Sequence, residues 1–146
     1  MRVILGSDHA GLALKKAVSA HLTGAGHEVV DLGVHEHTSV DYPDYAAPVA
    51  REVAASGDFG ILCCGTGQGM AMTANRVKGV RAAVVSDVFS AVGTRGHNDA
   101  NVLCMGERVI GVGVALTIVD AFLGTAFEGG RHERRVNKIA SNTLND

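Results

Sequence analysis

A cysteine followed directly by a glycine-rich loop is the feature of this sequence best suited to chemistry. Cys64 ends an apolar run and precedes the loop Gly65-Thr66-Gly67-Gln68-Gly69. Glycines let successive backbone N–H groups converge on one point and let a ligand approach closely. A helix that starts after the loop adds its positive end, which stabilises a bound anion and the thiolate form of a cysteine. The segment therefore predicts a cradle for a phosphate or an oxyanion beside a thiol.

Two familiar phosphate-binding loops do not fit this segment. A P-loop requires a Lys-Ser/Thr pair after its glycines, and none follows here. A dinucleotide fingerprint that starts at Gly65 and Gly67 requires a third glycine where the sequence has Met70, and it belongs after the first strand rather than the third. An oxyanion cradle remains, with the alternative that Cys64 is only a small buried residue at a strand end.

Acidic and histidine side chains elsewhere could complete such a site. Asp8 and His9 follow the first predicted strand, where Asp8 could instead cap the next helix. His97 precedes the last predicted strand, and histidine titrates near neutrality, which suits proton transfer. A lone histidine is more often an ordinary surface residue, so a role in proton transfer and a plain surface position both remain open for His97. His9, His97 and His132 are too dispersed for a zinc pattern and no Cys-x-x-Cys accompanies them, so no metal site is predicted.

Three arginines could bind an anion. Arg131 and Arg135 stand one helical turn apart, and arginine forks suit bidentate binding of phosphate. The alternative is a solvated helix, which is usual for a run of charges. Arg108 follows the fifth predicted strand and could reach the same anion.

Short apolar runs alternate with helical patterns along the whole chain. Strands are predicted at 2–6, 27–32, 59–64, 80–86 and 102–105, and helices at 12–22, 45–55, 70–77, 87–95, 114–123 and 131–143. This alternation predicts one α/β domain over residues 1–146, built on a Rossmann-like, doubly wound sheet of five parallel strands. Helices cover both faces, and a basic helix ends the chain. Ligands in such sheets bind beyond the carboxyl ends of the strands, where Asp8, His9 and the cysteine-glycine loop fall.

Composition limits the partners and the compartment. The net charge of the 146 residues is −2, so no overall basic field recruits nucleic acid or a membrane surface. The first residues turn polar too early for a secretory signal, and no stretch is long enough to cross a bilayer. Three cysteines, two of them adjacent, make a poor disulfide framework, so reduced thiols in the cytoplasm are expected. Strand alternation places Cys63 on the face opposite Cys64, and Cys63 and Cys104 are predicted core residues.

Six segments in order along the chain resemble the ribose-5-phosphate isomerase B family, which includes the galactose-6-phosphate isomerase subunits. The matching segments are Gly6-Ser7-Asp8-His9-Ala10-Gly11, Asp41-Tyr42-Pro43, Cys64-Gly65-Thr66-Gly67, Ala74-Asn75, His97-Asn98-Asp99-Ala100-Asn101-Val102 and Gly129-Gly130-Arg131-His132 through Arg135. Together they cover nearly the whole chain. One branch of the family replaces the cysteine with a glutamate after the loop, and because that position is Met70 here, this chain resembles the cysteine type.

The resemblance implies an enzyme without metal or redox cofactor, acting as a homodimer or dimer of dimers with active sites at a subunit interface. The residue matching Cys64 moves a proton between C1 and C2, those matching Asp8 and His97 assist ring opening, and the one matching Thr66 contacts the reacting hydroxyls. The backbone amides of the glycine loop hold the enediolate, and the loop residues implied in binding are Gly65, Gly67, Gln68 and Gly69. The remaining implied site residues bind the phosphate or line the sugar pocket: His9, Arg108, Arg131 and Arg135 for phosphate, Tyr42 and Asn98 for the sugar.

The predicted function is therefore an aldose–ketose isomerase that interconverts ribose 5-phosphate and ribulose 5-phosphate through a cis-enediolate. The same chemistry on a tetrose phosphate such as erythrulose 4-phosphate, or on allose or galactose 6-phosphate, remains open. Residues 33–40 are the segment that departs most from the family and could alter which sugar fits. Two other classes are a non-catalytic sugar-phosphate-binding subunit and a receiver-like signalling domain, which would need a cluster of acidic residues for Mg²⁺.

Overall fold

A single parallel β-sheet organises the chain. The computed structural model describes residues 1–143, with five strands in the order β2-β1-β3-β5-β4, every neighbouring pair parallel. The strands are β1 Arg2–Ser7, β2 Glu28–Asp31, β3 Phe59–Cys64, β4 Ala82–Val84 and β5 Val102–Gly106. The central strands β1, β3 and β5 are buried almost throughout, as expected for a parallel sheet covered on both faces. The prediction of a doubly wound α/β sheet is confirmed.

Within residues 1–143, six α-helices connect and flank these strands. They are α1 Leu12–Gly24, α2 Pro43–Ser56, α3 Gln68–Ala74, α4 Val88–Gly96, α5 Val112–Gly124 and α6 Arg131–Thr143. Apolar residues of α1, α4 and α5 pack on one face of the sheet, and those of α2 and α3 pack on the other. The alternation of side chains along β3 divides its two cysteines between these cores, since Cys63 belongs to the first and Cys64 to the second.

Two elements differ from their predicted bounds in ways that matter for the site. The predicted strand at 80–86 shortens to Ala82–Val84, because β4 is an edge strand that pairs only with β5 and is flanked by a turn in which the Val80 N–H donates to the Val77 carbonyl. The helix after the glycine loop starts at Gln68 rather than at Met70, and it has only seven residues. The described part of the chain contains no helix long and apolar enough to span a membrane.

Candidate active site

The sulfur of Cys64 lies at the carboxyl end of β3 and receives a backbone hydrogen bond. The Gly67 N–H donates to Cys64 Sγ at 3.1 Å, and the cysteine is only 5% exposed. Gly67 adopts a positive φ of 81°, and a Cβ there would lie 3.1 Å from the backbone of Met105. Glycine is thus required both for the turn and for close packing against β5. An amide aimed at sulfur stabilises the thiolate, the form that acts as a base.

The other two cysteines lack this setting. Cys63 and Cys104 are fully buried in the sheet, and burial raises the pKa of each thiol far above its usual range. Neighbouring thiols and acidic groups raise the pKa of Cys63 further. All three cysteines are free. The prediction that Cys63 and Cys104 are core residues is confirmed.

The turn after β1 places Asp8 and His9 directly beside the end of β3. The Asp8 N–H donates to the Cys63 carbonyl at 3.3 Å, and Asp8 Oδ1 accepts from the N–H groups of Ala10 and Gly11. A Cβ at Gly11 would come within 2.3 Å of the Cys63 backbone, so only glycine permits this approach. The capping role considered for Asp8 is therefore present. This capping uses one carboxylate oxygen of the buried Asp8 side chain, and it holds Asp8 at the same end of the sheet as Cys64.

His9 is oriented by the loop that follows β2. The Val40 N–H donates to His9 Nδ1 at 3.1 Å. Because Nδ1 accepts this bond, the proton of a neutral His9 ring resides on Nε2, which is left as a donor. The loop itself is tied to the buried Lys15, whose Nζ donates to Asp31 at 2.8 Å and to the Val34 carbonyl.

Tyr42, Thr66 and Arg108 border the glycine loop. The Tyr42 ring packs so closely on the first turn of α3 that a Cβ at Gly69 would lie 2.5 Å from it. Thr66 Oγ1 accepts from the Gln68 N–H at 3.3 Å. The Arg108 N–H donates to the Gly65 carbonyl at 3.1 Å, and its guanidinium lies over Gly65. We call the set made of Asp8, His9, Tyr42, residues 64–69 and Arg108 the carboxyl-edge cluster.

His97 lies at the opposite end of the sheet. It follows α4 and precedes β5, whose first residue Val102 pairs with Gly60, whereas Cys64 pairs with Gly106 at the other end. The four residue steps between these two pairs span about 13 Å along the strand. Within one chain, the two predicted catalytic residues His97 and Cys64 are therefore separated by the length of the sheet.

The turn that carries His97 is held by two arginines. Arg95 Nη1 donates to Asp99 Oδ1 at 2.8 Å and to the Ala100 carbonyl at 2.8 Å, and its guanidinium lies 4.6 Å from the centre of the Phe59 ring. Arg81 donates through Nε to the Asp99 carbonyl at 2.8 Å. Asp99, with a positive φ of 49°, thus serves to fix the turn beside His97.

The start of α6 meets the His97 turn. The Glu128 N–H donates to the Gly96 carbonyl at 3.0 Å, and the His132 ring stacks on His97 with centres 4.2 Å apart and planes 8° from parallel. Burial, followed by the charges of His97 and Arg131, lowers the pKa of His132, and Arg135 adds to the shift. Arg131 and Arg135 therefore lie around this histidine pair. We call His97, Asn98, Glu128, Arg131, His132 and Arg135 the amino-edge cluster.

Sequence reasoning missed the roles of Glu128 and His132 in this arrangement. His9, His97 and His132 are dispersed in sequence, yet His97 and His132 stack, while His9 lies at the other edge of the sheet. The signal that could have joined them is the Gly-Gly pair at 129–130, both with positive φ, which turns the chain so that α6 starts beside α4. Asn98 is exposed and lines a groove with Val136 and Ile139 of α6.

Comparison with known proteins identifies relatives over nearly the whole chain. Residues 3–139 match the family model described as Ribose/Galactose Isomerase. Ribose-5-phosphate isomerase B of Escherichia coli is 48% identical over 141 residues, which cover 96% of this chain and 95% of that protein.

Solved structures agree closely with this fold. Ribose-5-phosphate isomerase B of Clostridium thermocellum superposes with a TM-score of 0.97 at 47% identity, covering 99% of this chain and 98% of that one. The Mycoplasma genitalium enzyme, solved with bound ribulose-5-phosphate, gives a TM-score of 0.95 at 45% identity and covers 99% of this chain and 97% of that one.

Proposed function

This chain belongs to the ribose/galactose isomerase family, and we propose that it interconverts ribose 5-phosphate and ribulose 5-phosphate with Cys64 as the base. The observation that carries the proposal is the amide-bonded sulfur at the carboxyl edge, 3.1 Å from the Gly67 nitrogen and beside the Asp8-His9 turn. The similarity to a relative solved with ribulose-5-phosphate supports the choice of substrate.

The reaction begins on the closed sugar ring. The C1–O4 bond breaks, its electron pair goes to O4, and O4 takes a proton from His97. The hydroxyl on C1 gives its proton to the Asp8 carboxylate, which leaves the aldehyde. Placed acids and bases of this kind each contribute about 10²–10⁴-fold to a rate.

Isomerisation follows on the open chain. Cys64 thiolate removes the proton from C2, and negative charge develops on O1 of the resulting cis-enediolate. The hydroxyl proton of O2 then passes to O1, and the Cys64 thiol returns its proton to C1, which leaves the ketone at C2 and restores the thiolate. Each donor aimed at such an oxyanion lowers the barrier by about 3 kcal/mol in comparable enzymes. The glycine loop supplies these donors, although in the described chain the N–H groups of Gly67 and Gln68 already bond Cys64 Sγ and Thr66 Oγ1. Thr66 contacts the reacting hydroxyls, and Tyr42 and Asn98 line the sugar pocket.

Phosphate binding draws on both edges of the sheet. His9 Nε2 and the Arg108 guanidinium lie at the carboxyl edge, whereas Arg131 and Arg135 lie around the histidine pair at the amino edge. Arginine forks bind phosphate oxygens in pairs, and together they fix the end of the sugar remote from the reaction.

A complete site requires a second copy of the chain, because His97 and Cys64 lie at opposite ends of one sheet. We propose a homodimer, or a dimer of dimers, in which the amino-edge cluster of one chain meets the carboxyl-edge cluster of its neighbour. Large apolar side chains exposed on α4 support such an interface: Val88, Phe89 and Val92, with Phe89 88% exposed. The three free thiols are consistent with a reducing cytoplasm.

The proposal is tested by assaying the isolated chain on tetrose, ribose and hexose phosphates, ranked by kcat/KM. We expect ribose 5-phosphate to rank first and a chelator to leave turnover unchanged, because the chemistry needs only a base, an acid and amide donors. A higher rank for erythrulose 4-phosphate or a hexose 6-phosphate would reassign the substrate. Absence of turnover on the whole panel would instead indicate a non-catalytic binding subunit.

A further inference from the structure

Glu128 holds the imidazole of His97 in a defined state. Glu128 Oε2 lies 3.0 Å from His97 Nε2, and the Glu128 backbone is tied to Gly96 by its own N–H. The carboxylate packs so tightly over Gly96 that a Cβ there would lie 2.7 Å from Oε2. The stacked His132 ring fixes the plane of the His97 ring. Glu128 therefore sets the direction of the His97 ring and His132 sets its plane, and the proposed reaction gives neither residue a role of its own.

A metal ion is the first alternative for this group of side chains. Ligand atoms of His97, Glu128 and His132 lie within 4.8 Å of one another. A metal sits in the plane of each imidazole that binds it, however, and two stacked rings only 8° from parallel have no common point at which one ion could lie. The present geometry favours a hydrogen-bonded relay over a metal site.

An ionised carboxylate only accepts hydrogen bonds, so His97 Nε2 carries a proton toward Glu128. The free nitrogen, Nδ1, then bears a lone pair in the neutral ring and a proton in the charged ring. The charged ring, with a proton on Nδ1, is the form that gives a proton to the sugar ring oxygen. Burial lowers the pKa of His132, and its neighbours His97 and Arg131 lower it further, which favours an uncharged ring stacked on His97.

We infer that Glu128 is a positioning residue for ring opening, which sets the tautomer of His97 through Nε2 while His132 sets its plane. The inference rests on the proposed function. In the step itself the C1–O4 bond breaks, O4 takes the proton from His97 Nδ1, and Asp8 takes the proton of the C1 hydroxyl. Glu128 keeps its own charge throughout and touches neither substrate nor reacting atoms.

Two assays separate ring opening from proton transfer at carbon. Conversion of ribose 5-phosphate requires ring opening, whereas ribulose 5-phosphate is acyclic because its O5 carries the phosphate. Exchange of the C1 proton of ribulose 5-phosphate with heavy water, followed by NMR, therefore reports the Cys64 step alone. For Glu128→Gln we expect conversion of ribose 5-phosphate to fall about 10-fold or more, with C1 exchange kept within about 2-fold.

Matched variants distinguish positioning from folding. Glu133→Gln removes the same charge from an exposed site on α6 and is expected to change neither rate. His132→Phe keeps a stacked ring and should retain conversion, whereas His132→Ala should lose it with C1 exchange preserved. Nitrogen-15 spectra should show the Nε2–H tautomer of neutral His97 in the wild type and a loss of that preference in Glu128→Gln.

The outcomes separate this inference from the proposed function. Wild-type protein that catalyses neither reaction overturns both. Wild-type protein that catalyses both, together with a Glu128→Gln variant in which the two rates are unchanged or fall by the same factor, overturns only the role of Glu128.

Discussion

The carboxyl-edge and amino-edge clusters are built in opposite ways. The first is buried and bound to backbone: Cys64 and Asp8 are 5% and 6% exposed, and their polar atoms contact main-chain N–H groups. In the second, side chains point outward, with His97 51% and Glu128 58% exposed, and the contacts run between side chains. In the proposed mechanism, the base Cys64 and the proton acceptor Asp8 thus lie on a buried frame within one chain, whereas His97, the proton donor for ring opening, lies on the exposed surface.

Topology explains this division. In a parallel sheet every strand ends at the same edge, so the loops after β1, β3 and β5 converge without help from another chain. Residues that precede a strand, such as His97 before β5, necessarily lie at the other edge. The proposed site uses both edges, so the proposal makes assembly with a second molecule a condition for activity.

Replacement of Cys64 should produce the largest effect. Cys64→Ala removes the base, and we expect kcat to fall by about 10²–10⁴-fold, with C1 exchange lost equally. Cys63→Ala, one residue earlier and on the other face of the sheet, should keep kcat while lowering the free energy of unfolding by about 1 kcal/mol. Near wild-type turnover of Cys64→Ala would remove the thiol from the mechanism.

Mixing two inactive variants tests the division directly. Cys64→Ala and His97→Asn homodimers should each be nearly inactive, but subunit exchange creates heterodimers in which one of two sites is intact. Random reassortment places half of the molecules in this form, so activity should rise to about a quarter of the wild-type value. Activity that stays at the level of the separate variants after demonstrated exchange would place both residues in the same chain's site.

Substitutions at the two arginines of α6 should affect binding more than turnover. Arg131→Ala or Arg135→Ala removes a charge-assisted hydrogen bond to phosphate, worth about 1.5–3 kcal/mol, so KM for ribose 5-phosphate should rise about 10- to 100-fold. Arg134→Ala, predicted to lie off their common face, provides the control of equal charge. An equal rise in KM for Arg134→Ala would indicate a general electrostatic effect of the helix.

Much of the carboxyl-edge cluster could be predicted from sequence because its residues are local to strand ends. Cys64, the glycine loop, Asp8 and Arg108 each follow a recognisable apolar run, and the rule for parallel sheets brings them together. The helix bounds were less accurate, since the start of α3 depends on the backbone turn at Gly67 rather than on hydrophobic period.

The amino-edge cluster could not be assembled in this way. The pairing of His97 with Glu128 and His132 joins residues more than thirty positions apart through two glycines of positive φ, and no periodic pattern encodes the direction of such a turn. The resemblance identified His97 and the arginines but left Glu128 without a role. Asp99 stands in one of the matching segments, and its contacts with Arg95 and Arg81 assign it to the support of the turn.

The smallest expected change concerns the rigid frame of the carboxyl edge. Gly11→Ala places a Cβ 2.3 Å from the Cys63 carbonyl, which must push the Asp8-His9 turn away from Cys64. We expect the free energy of unfolding to fall by about 1–3 kcal/mol, the usual cost of overpacking, and kcat to fall with it. Gly24→Ala, in open space at the end of α1, should leave kcat unchanged. Chemical denaturation and turnover measured on both variants would decide whether the turn after β1 is fixed by this contact, since a fully stable and active Gly11→Ala protein would show that Asp8 reaches Cys64 without it.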